Sequence, residues 1–349
     1  MSINNTKLLS YNHGGIEIAA DLILGGDVVG IPTETVYGLA ANALDGSAVA
    51  KIFKAKGRPP DNPLIIHLCD VADIEKYAKN IPKLCYILAD KFCPGPFTMI
   101  LPKRHIIPEI VSGGLDTVAV RIPQNKIALE LIKKTGKPLA APSANISGSP
   151  SPTKAAHVLS DMNGKIPAVI DGGDCVLGLE STVVTFISNG GDEGVKILRP
   201  GFITADDIAN LGIKVYLDES ITSPVEDSIV LSPGMKYKHY SPKADVAVVS
   251  GDLSNFIKYV YANNDSGVYA MVFDSDMGEC EKHSPGIKFF PYGDTPGEQA
   301  GRLYSVLRSL DDNKAKRVYV REPPCKGVGL AVYNRLLRAA EFEIINIDF

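Results

Sequence analysis

The sequence predicts an α/β protein in two parts, a larger mixed sheet with helices followed by a small parallel α/β domain, and three observations carry that reading. Residues 1–213 alternate apolar runs of strand length with helical patterns, but neither βαβα regularity nor strict hairpins run through them, which is the texture of a mixed sheet. Residues 214–243 hold no long periodic segment and are rich in Ser, Pro, Asp and Glu, which marks a linker. From residue 244 onward, strand patterns are separated by single helical patterns, and right-handed crossovers then give a Rossmann-like parallel sheet. A chain of 349 residues, 45% hydrophobic and 22% charged, is long enough to bury two cores.

In order along the chain, Ile16, Ala19, Ala20, Ile23 and Leu24 recur at helical spacing, and Gly25-Gly26 stop them before the apolar strand at 28–31. Asp45 caps a second helix that buries Val49, Ile52 and Phe53 and ends at Gly57. Strands are expected at 64–68, 97–101, 118–122, 139–141, 167–170 and 182–187, and helices near 82–93, 125–135 and 153–162, the last opened by Thr153. A short helix capped by Thr204 follows the ILRPG segment. In the C-terminal part no GxGxxG follows the first strand, so a dinucleotide site is not supported.

Composition excludes several function classes. A net charge of −4 and a pI near 5.9 give no global basic footprint, so any nucleic-acid contact is expected to be weak, local and salt-sensitive. The opening MSINNTKLLSYNHGG lacks the apolar core of a signal peptide, and no apolar run reaches membrane length, so a cytoplasmic protein is expected. Six cysteines without a CxxC pair read as buried thiols rather than a zinc site.

Two polar clusters carry the chemistry. Lys56-Gly57-Arg58 offers two cations, and the uncharged stretch 138–153 around Ser143-Ala144-Asn145 offers hydroxyls, an amide and Gly-exposed backbone N–H groups. Together they would cradle a phosphate. A routine helix ending, with a basic residue, a Gly stop and then Pro59-Pro60, accounts for the first cluster equally well. Asn62 and His67 flank the next apolar strand and would add polar groups to the same region. In Pro32-Thr33-Glu34-Thr35-Val36-Tyr37, Thr33 and Thr35 fall on one side of an extended segment and Tyr37 could reach over a pocket. Arg121 lies inside the apolar strand VAVRIP and needs an anionic partner, either a structural carboxylate or a substrate's. Glu180-Ser181-Thr182 and Arg199 stand at a strand edge and a turn. The acidic residues form no metal cage, so Mg²⁺ is expected to be held by phosphate oxygens and water. No Walker sequence or nucleophile elbow is present, and nothing points to a covalent intermediate.

PTETVYGL, KxKGRP followed by NPL and a histidine, CPGPFTMIL, VAVRIP, APSANxSG followed by SPT, and ESTVV before ILRPG stand in one order, and together they resemble the YrdC/Sua5 family of threonylcarbamoyl-AMP synthases. SPGMKYKHYSP and the α/β tail resemble its longer, two-domain Sua5 form. The resemblance implies a twisted open α/β sheet at 1–213, a linker or lid at 214–243 and a C-terminal domain at 244–349. It implies a tetrad of Lys56, Arg58, Ser143 and Asn145 at the catalytic site. It also implies nucleotide contacts from Arg58, Asn62, Thr117, Ser143, Ser151, Arg199 and Tyr240, and threonine contacts from Thr35, His67, Arg121, the Ala141 backbone and Ser181. The implied reaction joins L-threonine, bicarbonate and ATP into threonylcarbamoyl-adenylate and pyrophosphate, and the product passes to a tRNA threonylcarbamoyltransferase complex that modifies adenosine 37. The fold also admits a double-stranded RNA-binding module, against which the acidic charge argues. Carbamoyl transfer in hydrogenase maturation is a further alternative, but its paired CxxC motifs do not occur here.

Overall fold

A computed structural model of the chain describes residues 5–189, 192–224, 240–283 and 286–347. They fall into two compact units, the first comprising 5–147, 151–189 and 192–221 and the second 148–150, 222–224, 240–283 and 286–347.

The first unit is built on eleven strands: β1 (Lys7–Ser10), β2 (Val29–Ile31), β3 (Gly38–Asn42), β4 (Ile65–His67), β5 (Phe97–Pro102), β6 (Thr117–Arg121), β7 (Leu139–Ala140), β8 (Ala168–Asp171), β9 (Thr182–Asn189), β10 (Asp192–Arg199) and β11 (Lys214–Leu217). They form one mixed sheet in the order β1-β8-β2-β3-β7-β4-β6-β5-β9-β10-β11. The helices Ile16–Leu24 and Lys126–Thr135 cover one face, where Ala19, Ile23, Leu131 and Ile132 pack against Val29, Ile31, Leu139 and Ile170. Each of the Val, Leu and Ile side chains among them contributes about 1.5–3 kcal/mol on burial, and truncating Leu131, which is wholly buried, would cost about 2–5 kcal/mol.

The second unit holds a five-stranded parallel sheet, β14-β13-β15-β12-β16, from β12 (Asp245–Ser250), β13 (Val268–Val272), β14 (Lys288–Pro291), β15 (Arg317–Arg321) and β16 (Ile344–Asn346). Helices follow the strands singly, as the alternation of patterns requires.

Four sequence expectations give way. Of the six cysteines expected as buried thiols, only Cys85 and Cys280 are buried, while Cys69, Cys93 and Cys175 are partly buried and Cys325 is exposed. Lys214–Leu217, placed in the linker by its lack of periodicity, pairs in parallel with β10 and belongs to the first unit. The helix after the Ser143 loop starts at Ala155, with Lys154 rather than Thr153 at its cap, because the first helical N–H groups, of His157 and Val158, donate to Lys154 O. Tyr37 does not overhang a pocket: it is fully buried, its hydroxyl donating to Gly173 O at 2.8 Å and accepting from the Gly172 N–H.

Candidate functional site

The strand registers place the polar residues that sequence reading scattered over 130 positions into one row. His67 on β4 stands opposite Arg121 on β6, Arg121 opposite Thr98 on β5, Thr98 opposite Val183 on β9, and Val183 opposite Arg199 on β10. Residues in register point to the same face, and strands lie about 4.8 Å apart, so the row runs for about 19 Å. Two residues along the same strands, Ile65, Ala119 and Ile100 join Val183 and Leu198 in a small apolar cluster on that face. Thr117 is two residues further still, about 13 Å from Arg121 along β6. Asn62 precedes β4 at the same end as Thr117, because β4 and β6 are parallel.

At the row's centre, Arg121 is 4% exposed and engaged on three sides. Its Nη2 donates to Glu34 Oε1 at 2.6 Å, Nη1 to Thr35 Oγ1 at 3.0 Å and Nε to Gly95 O at 3.3 Å. Its anionic partner within the protein is therefore Glu34. Burial opposes ionisation of Glu34, but the Arg121 charge and hydrogen bond outweigh it and hold the carboxyl below its usual range. Thr33 shapes the turn, since its Oγ1 donates to Val36 O at 2.6 Å and lies 2.8 Å from Thr35 Oγ1. His67 is neutral: burial first, and then the Arg121 charge, lower its pKa to about 3. Burial likewise raises the thiols of Cys93 and Cys175, to about 11 and about 12, so both stay protonated.

At the row's end, Ser181 is fully buried and lies 2.7 Å from Thr98 Oγ1, hydroxyl to hydroxyl. Arg199 donates to both its main-chain oxygen and its Oγ at 3.1 Å. The turn after Arg199 needs glycine, because a Cβ on Gly201 would sit 2.4 Å from the Thr182 nitrogen. Ser151 Oγ donates to Glu180 Oε1 at 2.6 Å, which ties the loop after Asn145 to the residue before Ser181.

The Lys56 and Arg58 pair serves two purposes. Asp45 caps the helix Gly46–Lys56 through the N–H groups of Ser47 and Ala48, and Gly57 ends it at φ +62°, in the left-handed region glycine tolerates. Both features were legible in the sequence. Lys56 is 2% exposed and sends its ammonium to the carbonyl oxygens of Ser143 and Asn145, the latter at 2.7 Å, and to Asn145 Oδ1 at 3.4 Å. The Ser147 N–H returns a bond to Lys56 O. Lys56 thus holds the Ser143–Asn145 loop in shape. Arg58, which follows Gly57, has one terminal nitrogen 3.4 Å from the carbonyl oxygen of Pro63, the residue after Asn62. Both amide atoms of Asn62 are buried without a hydrogen-bond partner among the described residues, as is His67 Nδ1.

Ala141 lies beside this set, with its N–H donating to Ile65 O. Tyr240 is packed within the second unit, 5.5 Å from the Tyr304 ring and under the Arg335 guanidinium, at φ +66°. Lys236 to His239, which carry the rest of the expected lid, lie outside the described residues. Sequence reading missed Thr98, and it named Glu34 and Glu180 within their motifs without giving either a role. The available signal for Glu34 was its place between two threonines of one turn. Among the described residues no cluster of His, Cys, Asp and Glu could hold a metal ion, and no helix is long and apolar enough to cross a membrane.

Comparisons with known proteins extend over nearly the whole chain. A family model described as telomere recombination, of the Sua5, YciO and YrdC proteins, matches residues 21–201, and a model of the threonylcarbamoyl-AMP synthase C-terminal domain matches 203–341. The threonylcarbamoyl-AMP synthase of Pyrococcus abyssi is 43% identical over 336 residues, 95% of this chain and 96% of that one. That of Bacillus subtilis is 39% identical over 350 residues, 98% of each. Among solved structures, Pyrococcus abyssi Sua5 complexed with L-threonine superposes with a TM-score of 0.88 at 40% identity, covering 98% of this chain and 99% of that one.

Proposed function

The chain belongs to the Sua5/YrdC family of threonylcarbamoyl-AMP synthases, and on that premise we propose that it joins L-threonine, bicarbonate and ATP into threonylcarbamoyl-AMP and pyrophosphate at the face that carries the polar row. The observation that carries the placement is the set of buried polar atoms awaiting partners: His67 Nδ1 in the row and both amide atoms of Asn62 at the opposite end of β4. An unpaired buried polar group costs roughly 1–3 kcal/mol, which a ligand spanning the face would recover. Threonine would lie at the row, against Thr35, His67, Arg121, Ser181 and the Ala141 backbone. The nucleotide would run along Arg58, Asn62, Thr117, Ser143, Ser151 and Arg199.

The α-ammonium of threonine first loses a proton, and the free amine and bicarbonate then give a carbamate and water. A carbamate oxygen then attacks the α-phosphorus of ATP as the bond to the β-phosphate oxygen breaks. No protein nucleophile is needed. Arg58 and Arg199 supply fixed positive charge for the phosphoryl oxygens, and the Ser143–Asn145 loop, held by Lys56, supplies donors set before the reaction. Mg²⁺ would arrive with ATP, held by phosphate oxygens and water, since Glu34 and Glu180 are committed to Arg121 and Ser151. Within the cell, a cytoplasmic protein that hands its adenylate to a tRNA threonylcarbamoyltransferase complex fits this chemistry. Pyrophosphate release, measured with threonine and bicarbonate omitted in turn, tests the reading: turnover should require both, and equal release without threonine would refute it.

A further inference from the structure

Glu34 is assigned no part in the reaction, yet it is a confined charge at the row. It is 7% exposed, one carboxylate oxygen is bound to Arg121, and the other, Oε2, is buried with no hydrogen-bond partner among the described residues. A buried anionic oxygen without a donor is costly and calls for a cation. Arg121 offers the complementary surplus. A guanidinium has five N–H donors, and three are taken by Gly95 O, Thr35 Oγ1 and Glu34 Oε1, so among the described residues one N–H remains on each terminal nitrogen.

Resting on the reading that an amino acid binds at this row, we propose that Glu34 Oε2 receives the α-ammonium of the substrate while Arg121 receives its α-carboxylate. The Arg121–Glu34 pair then mirrors the substrate zwitterion. Two carboxylates beside one guanidinium repel each other, and the ammonium on the substrate's own α-carbon lies between them to offset that repulsion. The pair places the amine before it meets bicarbonate and selects α-amino acids over α-hydroxy acids. Glu34 is a specificity-determining residue by this account. An arginine alone could not make the distinction, because both ligand classes present the same carboxylate.

Isothermal titration of the full-length protein with L-threonine, and with the analogue carrying a hydroxyl in place of the ammonium, tests the inference in wild type, Glu34→Gln and Glu34→Asp. Wild type should prefer threonine. Glu34→Gln should lose about tenfold to a hundredfold in threonine affinity, the scale of one charge-assisted hydrogen bond, while the analogue changes less than about threefold, so that the preference collapses. A Glu34 that merely braces Arg121 would weaken both ligands together, and that result, or unchanged threonine affinity, overturns the proposal. If Glu34→Gln does not fold, Glu34→Asp decides by the same ratio: its side chain, one methylene shorter, draws the carboxylate back from the ligand, so the preference should shrink, and one as large as that of wild type counts against the proposal. A wild type that binds no threonine strikes the functional reading and the inference with it. A wild type that binds threonine beside a variant that keeps its preference strikes the inference alone.

Discussion

Replacing Lys56 by Met tests whether this lysine works on the protein or on the phosphates. In the structure its ammonium is bonded to the carbonyl oxygens of Ser143 and Asn145, with Asn145 Oδ1 further off. A methionine of similar length fills the channel but strands the two carbonyls in a place where Lys56 is only 2% exposed. At roughly 1–3 kcal/mol for each orphaned acceptor, the first unit should lose about 2–6 kcal/mol. For a unit of this size that is a drop in melting temperature on the order of 10 °C. Turnover should fall as well, even well below the melting point, because the loop that positions Ser143 and Asn145 loses its tether. Thermal melts by circular dichroism alongside pyrophosphate release would read both effects. A lysine reserved for phosphate would behave otherwise: its removal would leave the melt of the ligand-free protein within about a degree and lower only the turnover, and that outcome would refute the tether.

Three further expectations follow from named groups. Asn62→Leu should leave the ligand-free protein as stable as wild type or slightly more so, since it removes two buried unpaired atoms, yet raise the KM for ATP about tenfold; paired melts and steady-state kinetics would check this. His67, neutral in the folded chain because its pKa is lowered to about 3, binds a proton more readily when unfolded, so stability should fall with pH below about 6.5 by up to about 1.4 kcal/mol per pH unit. His67→Gln should flatten that slope in urea unfolding between pH 5 and 6. Tyr240→Ala should lower the melting of the second unit by about 3–5 kcal/mol through loss of its packing on Tyr304 and Arg335, and Tyr240→Gly should be the less damaging change, because glycine accepts φ +66°. Deconvoluted calorimetric scans of the two variants would rank them.

What the sequence made legible was mostly local. Helix stops at Gly25-Gly26 and Gly57 and the caps at Asp45 and Thr204 were readable because each is written within four residues of the feature it controls. β3 was not, for Gly38–Asn42 contains no β-branched residue, and its conformation comes from pairing with β2 and β7. β1 and β11 are short segments at the sheet's two edges and carry little apolar pattern. At the site, Arg121 announced that it needed an anion by standing in an apolar strand, but only the tertiary structure could name Glu34, which is far away in sequence. The two readings of the KGR cluster were likewise undecidable locally: the helix ending holds, and Lys56 at that ending also reaches the Ser143–Asn145 loop. Thr98 gave no signal, since its value lies in its register opposite Arg121 and not in its neighbours along the chain.

A row laid across five strands cannot be assembled in pieces. His67, Arg121, Thr98, Val183 and Arg199 become neighbours only when β4 has paired with β6 and β5 with β9, both parallel pairings that close long loops before any contact rewards them. The proposed recognition surface is therefore a late product of folding, and a chain truncated before Arg199 would carry nearly every motif and still lack the complete row. The converse holds for the finished protein. A ligand bridging the row fastens strands from distant parts of the chain at once, so occupancy should slow the opening of the whole first unit rather than of one loop, and resistance to protease becomes a measure of substrate in place.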